Sequence, residues 1–160
     1  MAESFKCAYD EIISLSKLVP NPRNANNHPQ SQIEILAKII DFQGQRSPIV
    51  VSKRSGFIVK GHGRLLALMR LGWQNAAVDL QDYESEAQEF ADMIADNEVA
   101  KWSEFDSIKM VQDLKTLEFQ DIDLLGIKDF SLDLPDAEFN PLAEDKETPK
   151  KQCPHCGENL

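Results

Sequence analysis

The stretch "VKGHGRLLALMRLGW", residues 59–73, constrains the chain most. An apolar, β-branched run meets two glycines, and an amphipathic segment follows that stops at Gly72. This order predicts a strand, a tight turn and a helix from about Gly63 to Leu71. The segments before it are consistent with that corner. "SPIVVSK" and "GFIVKG" are β-branched runs separated by Arg54-Ser55-Gly56, which predicts a hairpin. "AAVDLQ" after Trp73 reads as a further strand. The chain is therefore expected to combine strands and helices around one core.

Toward the N-terminus, Ile13-Ser14-Leu15-Ser16 alternates like an edge strand. Pro20, Pro22 and Pro29, with four asparagines between them, enforce an irregular loop. "SQIEILAKIIDFQG" then reads as a helix capped by Ser31 and Glu34, with Ile33, Leu36, Ala37 and Ile40 inward and Gly44 as a left-handed stop. Ser85-x-x-Gln88 caps a long helix that reaches Lys101-Trp102, with Ala87, Phe90, Ala91 and Ile94 along one face. A further helical pattern over 103–119 makes Ile108, Val111, Leu114 or Lys115, and Leu117 candidate inward positions, and a short helix around Ile122–Leu125 stops at Gly126. Trp73 and Trp102 are expected as partial core residues, and His28 as a loop or capping residue.

The net charge of −10 conceals an asymmetry. Residues 20–70 carry eight basic and two acidic side chains, and residues 103–160 carry fourteen acidic and six basic. A basic region of this kind can face an anion, whereas the acidic end repels non-specific nucleic acid. No apolar run approaches the ~20 residues of a membrane span. The N-terminus lacks the pattern of a signal peptide, so the expected location is the cytoplasm.

The turn carries the chemistry. Amides at a helix N-terminus lack partners and favour anions. Glycine lets backbone approach a phosphate, and Arg64 adds a forked donor. His62 adds a second donor or a titrating group. A plain structural corner with a surface arginine is the alternative reading. The pattern is neither a Walker loop nor the longer dinucleotide fingerprint.

"FQGQRSPIVVSKRSGFIVKGHGRLLALMRLGW", followed by "ADNEVAKW", resembles the ParB/sulfiredoxin-like superfamily. It is most similar to ParB-like N-terminal (ParB-like nuclease) domains of the phage and plasmid type, often found beside or fused to DNA methyltransferases. "LVPNPRNANNHPQSQIEILAKII" matches the opening box of that family, and the resemblance spans residues 11–106. It implies an α+β fold, a small mixed β-sheet packed with helices, and a nucleotide site. In chromosome-segregation members a Gly-Glu-Arg-Arg turn holds the triphosphate of CTP, and Gly61, His62, Gly63 and Arg64 match that turn. Gly44, Gln45, Arg46, Ser47 and Pro48 match the preceding nucleotide-binding box. Asp96 and Asn97 match a Glu-Asn pair that places magnesium and phosphate, which makes them the implied catalytic and magnesium-holding pair. His62 and Gly63 replace a glutamate and one phosphate-binding arginine, so CTP preference does not carry over. The turn also lacks the catalytic cysteine of sulfiredoxin, and Cys7 lies far away in sequence. The acidic residues 103–132 do not fit the basic helix-turn-helix half of segregation proteins.

The tail "CPHCGENL" carries Cys153 and Cys156 at the spacing of one zinc knuckle. The set is incomplete. Further ligands would come from Cys7, from His28, or from the same cysteines of a second chain in a homodimer. Free thiols on a flexible tail are the alternative.

The expected organisation is a ParB/sulfiredoxin-like domain over 1–106, a helical extension over 107–132, an acidic linker over 133–152 and the knuckle over 153–160. The leading functional expectation is a domain that binds a nucleoside triphosphate with magnesium, as a switch or slow hydrolase in phage or plasmid DNA metabolism. The rivals are a non-catalytic adaptor contacting DNA or a DNA methyltransferase, and a nuclease or small-molecule kinase.

Overall fold

Alternating apolar residues put Ile49, Val51, Ile58, Ala76 and Val78 into one buried cluster, which sets the register of the sheet. The structure, a computed structural model, describes residues 2–117 and 121–127. The expected linker over 133–152 and the knuckle cysteines Cys153 and Cys156 lie outside the described residues.

Among the described residues the sheet has five strands: β1 (Glu11–Ser14), β2 (Val19–Pro20), β3 (Ile49–Ser52), β4 (Phe57–Lys60) and β5 (Asn75–Gln81), in the order β1-β5-β3-β4-β2. β1 and β5 are antiparallel, β5 and β3 parallel, β3 and β4 antiparallel, and β4 and β2 parallel. The β3–β4 hairpin is the expected one. The predicted first strand forms at the sheet edge but lies earlier, and Leu15–Lys17 is a 3-10 turn.

Helices α1 (Gln30–Gln43) and α2 (His62–Arg70) pack against each other. Ile33, Ala37 and Ile40 from α1 join Leu65, Ala67 and Leu68 from α2 over the buried strand residues, with Trp73 closing the cluster. Each large aliphatic side chain buried there contributes about 1.5–3 kcal/mol. The inward face of α1 is as expected, but its cap is not. Pro29 holds the N-cap position without a side-chain bond, and Ser31 falls inside the first turn. Pro29 has no N–H to need a partner, and its fixed φ suits a helix entry.

Helix α3 (Glu86–Ala100) lies against β4. Ser85 caps it, accepting from the Gln88 amide at 3.1 Å. Its inward line is Glu89 and Met93, not Ala87, Phe90, Ala91 and Ile94. α4 (Ser107–Leu117) buries Val111 and Leu114 but leaves Ile108 and Leu117 exposed. Trp102 is 79% exposed, so only Trp73 is a core residue.

Residues 3–6 are pinned to the sheet, which sequence reasoning did not anticipate. The Ser4 carbonyl accepts from Gln45 N at 2.8 Å, and Lys6 N donates to the Gln45 carbonyl at 2.9 Å. Phe5 packs edge-on against Trp73. The Glu3 carboxylate accepts from the Gln74 amide, from Asn75 N (2.9 Å) and from Asn75 Nδ2 (3.0 Å). Burial pushes the Glu3 carboxyl up, but these bonds outweigh it and hold the group below the usual carboxylate range. A carboxyl with a depressed folded pKa adds stability above its unfolded pKa and loses it as pH falls through the folded one. Glu3→Ala is therefore expected to lower the melting temperature by about 2–4 °C at pH 7, the effect of losing about 1 kcal/mol of hydrogen bonding. The difference should shrink below about pH 4. Melting curves at pH 7 and pH 3.5 check this.

Candidate phosphate-binding turn

The corner after β4 is built by Gly61, which sits at φ 97°, ψ 23° and precedes the first residue of α2. The first helical bond runs from Leu65 N to the Gly61 carbonyl at 2.9 Å. The amides of His62, Gly63 and Arg64 therefore lack intrahelical acceptors and carry the positive end of the helix dipole. A Cβ at Gly61 would lie 2.8 Å from Arg64 Nη1, and one at Gly63 would lie 3.1 Å from His28 Nδ1. Each glycine makes room for a neighbouring side chain.

Arg64 folds back into the protein. Its Nη1 donates to the Pro48 carbonyl at 2.7 Å, which braces the start of β3 against α2. The surface arginine of the structural-corner reading is thus a partly buried strut. His62 Nε2 accepts from the Asn21 backbone N–H at 3.1 Å. With Nε2 accepting, the proton of the neutral ring sits on Nδ1, the nitrogen left to donate. Burial, together with His28, pulls the His62 pKa below its ordinary value. His28 is not simply a loop residue, because its ring lies over Gly63 and its Nδ1 is 3.0 Å from Gln32 Oε1.

The Gly44–Pro48 box divides in two. Gly44 has φ 77° and ψ 179°, a positive-φ backbone that favours glycine but lies outside the left-handed helical well, and a Cβ there would meet the Ser4 carbonyl at 2.6 Å. Gln45 is fully buried. Its Nε2 donates to the carbonyls of Ser47 (3.1 Å) and Ala77 (2.9 Å), and its Oε1 accepts from Ala77 N (2.9 Å). These two residues hold the N-terminal segment and β5 in place. Arg46, Ser47 and Pro48 instead line an open groove of about 480 Å³ together with Cys7, Tyr9, Asp10 and Asp79. The groove adjoins the turn through the Pro48 carbonyl that Arg64 holds. Burial raises the Cys7 thiol pKa, so it is not a preformed thiolate.

Asp96 and Asn97 lie on α3. Asp96 Oδ1 is 3.6 Å from Lys60 Nζ, and Asp92 Oδ1 is 3.0 Å from the same ammonium. Asp96 also interacts electrostatically with Arg64. Asn97 Nδ2 donates to the Met93 carbonyl at 3.1 Å, which leaves Oδ1 as its outward acceptor. Among the described residues no three His, Cys, Asp or Glu side chains group as a metal site. A magnesium ion here would take part of its oxygen shell from phosphates, which fits one carboxylate beside an amide oxygen.

The basic stretch is not a free anion-facing surface. Arg23 pairs with Glu86 (2.7 Å), Arg54 with Glu89 (3.2 Å), Lys60 with Asp92 (3.0 Å), Lys53 with Asp82 (3.0 Å) and Arg70 with Glu34 (2.8 Å). Three of these carboxylates form a stripe along α3. Sequence reasoning missed Glu89, which is 3% exposed and accepts hydrogen bonds from Ser52 and Ser55. The Ser-x-x-Ser spacing in the hairpin turn was the available signal.

No protein-family model and no curated protein matches the sequence. Solved structures do match. The C-terminally truncated chromosome-partitioning protein ParB from Caulobacter crescentus, complexed with CTP-γ-S, superposes with a TM-score of 0.58 at 19% identity. The match covers 68% of this chain and 62% of that one, so this chain spans less than two thirds of that ParB's length. The same truncated protein complexed to the centromeric parS site gives 0.47 at 16% identity, covering 69% and 57%. A free serine kinase in complex with AMP gives 0.41 at 27%, covering 52% and 35%. At those last two TM-scores neither likeness carries an argument. The first, together with the mixed sheet and its strand–Gly61–helix corner, shows the fold alone: the chain has a ParB-like fold.

Proposed function

We propose that the chain binds a nucleoside triphosphate, with the phosphates on the amides of His62, Gly63 and Arg64. The observation that carries this reading is the Gly61 corner, which leaves those three amides without helical partners in a fold whose relative from Caulobacter crescentus was solved with CTP-γ-S. Asp96 and the Asn97 amide oxygen would hold magnesium, which supplies charge neutralisation for the phosphates when bound. Arg46, Ser47 and Pro48 border the groove next to the turn and are the residues available to the rest of the nucleotide. Catalysis on such a site rests on positioning and electrostatics. The nucleotide therefore acts as a switch or is hydrolysed slowly, in a phage or plasmid DNA setting. One observation favours the adaptor instead. Arg64, the forked donor expected at a phosphate, is already engaged by the Pro48 carbonyl.

Titration of the isotopically labelled chain with ATP, CTP, GTP and UTP plus magnesium separates the two. Nucleotide binding predicts that the amide resonances of His62, Gly63 and Arg64 move most. It also predicts that ligand at ~100 times its dissociation constant stabilises the fold by about 2.7 kcal/mol. If no nucleotide shifts those amides or the melting temperature, the turn is a structural corner and the adaptor reading stands.

A further inference from the structure

The turn has amides for an anion but few side chains free to add charge. Gly63 has no side chain, and the His28 ring fills the space where one would start. Arg64 is tied to Pro48. Arg46 sits on the groove side, with its Nε bonded to the Gln43 carbonyl at 3.1 Å. Lys60 remains. It is the last residue of β4, opposite Val50 of β3, and it immediately precedes Gly61.

The surroundings of Lys60 suit a cation kept in reserve. Its side chain is 29% exposed, and its ammonium is shared between Asp92 Oδ1 at 3.0 Å and Asp96 Oδ1 at 3.6 Å. The Tyr83 hydroxyl donates to Asp92 Oδ2 at 2.8 Å, which anchors that carboxylate on the α3 side. Burial pulls the Lys60 pKa down, but Asp92 and Asp96 outweigh it and raise it above the ordinary lysine value, so the group stays an ammonium. The two carboxylates are themselves 38% and 55% exposed. Ion pairs at that exposure contribute little net stability and exchange readily for a better anion. A polyphosphate on the adjacent amides, in a site with a fixed positive dipole, is such an anion.

We infer that Lys60 is a phosphate-contacting residue of this chain, and that Asp92 competes with the phosphate for it. This rests on the phosphate reading of the turn. On arrival of the anion, the Lys60 ammonium moves from Asp92 and Asp96 to a phosphate oxygen and remains protonated throughout. The same exchange leaves Asp96 free of its cation, as a magnesium-phosphate complex would need. While no anion is bound, the lysine offsets part of the charge of the two carboxylates.

The test uses inorganic tripolyphosphate as the probe, without magnesium, titrated calorimetrically into the full chain at one fixed salt concentration. Lys60→Met is expected to weaken binding about tenfold or more, the worth of one charge-assisted hydrogen bond. Lys60→Arg should hold affinity within a few-fold, since the charge and reach persist. Asp92→Asn should tighten binding several-fold, because it removes the competitor. A purely structural ion pair predicts no gain from Asp92→Asn. Should wild type bind while Lys60→Met and Asp92→Asn match it, the Lys60 role is overturned and the phosphate turn survives. Should wild type bind neither tripolyphosphate nor any nucleotide, the turn reading fails and this inference with it.

Discussion

Glu89→Ala is expected to destabilise the fold by about 3–5 kcal/mol, combining about 1–3 for a buried hydroxyl left unpaired with about 1.5–3 for a lost hydrogen bond to a charged group. The carboxylate is 3% exposed and serves four donors. Its Oε2 accepts from Ser52 Oγ at 2.8 Å and pairs with Arg54 Nη2 at 3.2 Å. Its Oε1 accepts from Ser55 Oγ at 2.8 Å and from Asn21 Nδ2 at 3.5 Å. Ser52 Oγ in turn accepts from the amides of Arg54 and Ser55, so one carboxylate organises the β3–β4 turn from α3. Alanine would leave the fully buried Ser52 hydroxyl without its acceptor and Arg54 without a counter-charge. Urea denaturation measures the loss, and a melting drop of about 10 °C should accompany it. A loss under about 1 kcal/mol would mean that the hairpin turn holds without α3.

The same carboxylate fixes a pH dependence. Burial pushes the Glu89 carboxyl up, but the hydroxyls of Ser55 and Ser52 and the charge on Arg54 outweigh it and hold the group below the usual carboxylate range. Its contribution is therefore fully present above the unfolded value of about 4.3 and is lost as pH falls through the folded value. The stability gap between wild type and Glu89→Gln should be widest near neutrality and close on acidification below about pH 4.

What the sequence made legible was local. The hairpin followed from two β-branched runs around Arg54-Ser55-Gly56, and the Ser85 cap from its spacing to Gln88. The Gly61 corner and its helix followed from glycine placement and apolar spacing, with the helix one residue earlier than expected. The inward face of α3 was misread because a glutamate counts as polar in any periodicity. Its burial depends on Ser52, Ser55, Arg54 and Asn21, which lie more than thirty residues away in the chain. The pairing of the basic stretch was hidden for the same reason, since Arg23, Arg54 and Lys60 find their counter-ions along α3 rather than nearby in sequence. At the site, spacing and resemblance picked out Arg64, His62 and Gln45 by residue type. Which atoms they bond is a tertiary fact. Gln45 closes an edge of β5, Arg64 braces Pro48, and His62 is held by a loop amide. Lys60 and Asp92 went unnoticed as a pair because strand and helix bring them together across the face of the sheet.

Gly61→Ala is expected to combine two costs, about 3–5 kcal/mol in total. The first is conformational. At φ 97° an alanine is strained by about 1–2 kcal/mol relative to glycine. The second is a collision, because the new methyl would lie 2.8 Å from Arg64 Nη1 and 3.4 Å from the Ile49 Cα. The guanidinium could move only by leaving the Pro48 carbonyl, and a hydrogen bond to a charged group is worth about 1.5–3 kcal/mol. Gly56→Ala is the matching control, since Gly56 has φ 75° but nothing within 4 Å of its added methyl. It should show the conformational cost alone. A double-mutant cycle separates the terms further. Removing the guanidinium first removes the collision, so Gly61→Ala should cost less in an Arg64→Ala background than in wild type, by about the hydrogen-bond term. Chemical denaturation of the four proteins in that cycle gives the coupling directly. Equal costs in both backgrounds would show that the Gly61 requirement is purely one of backbone angle and that Arg64 does not shape the corner. A positive coupling would mean that the arginine and the glycine were fitted to each other. The turn would then take its shape from internal packing, before any anion arrives.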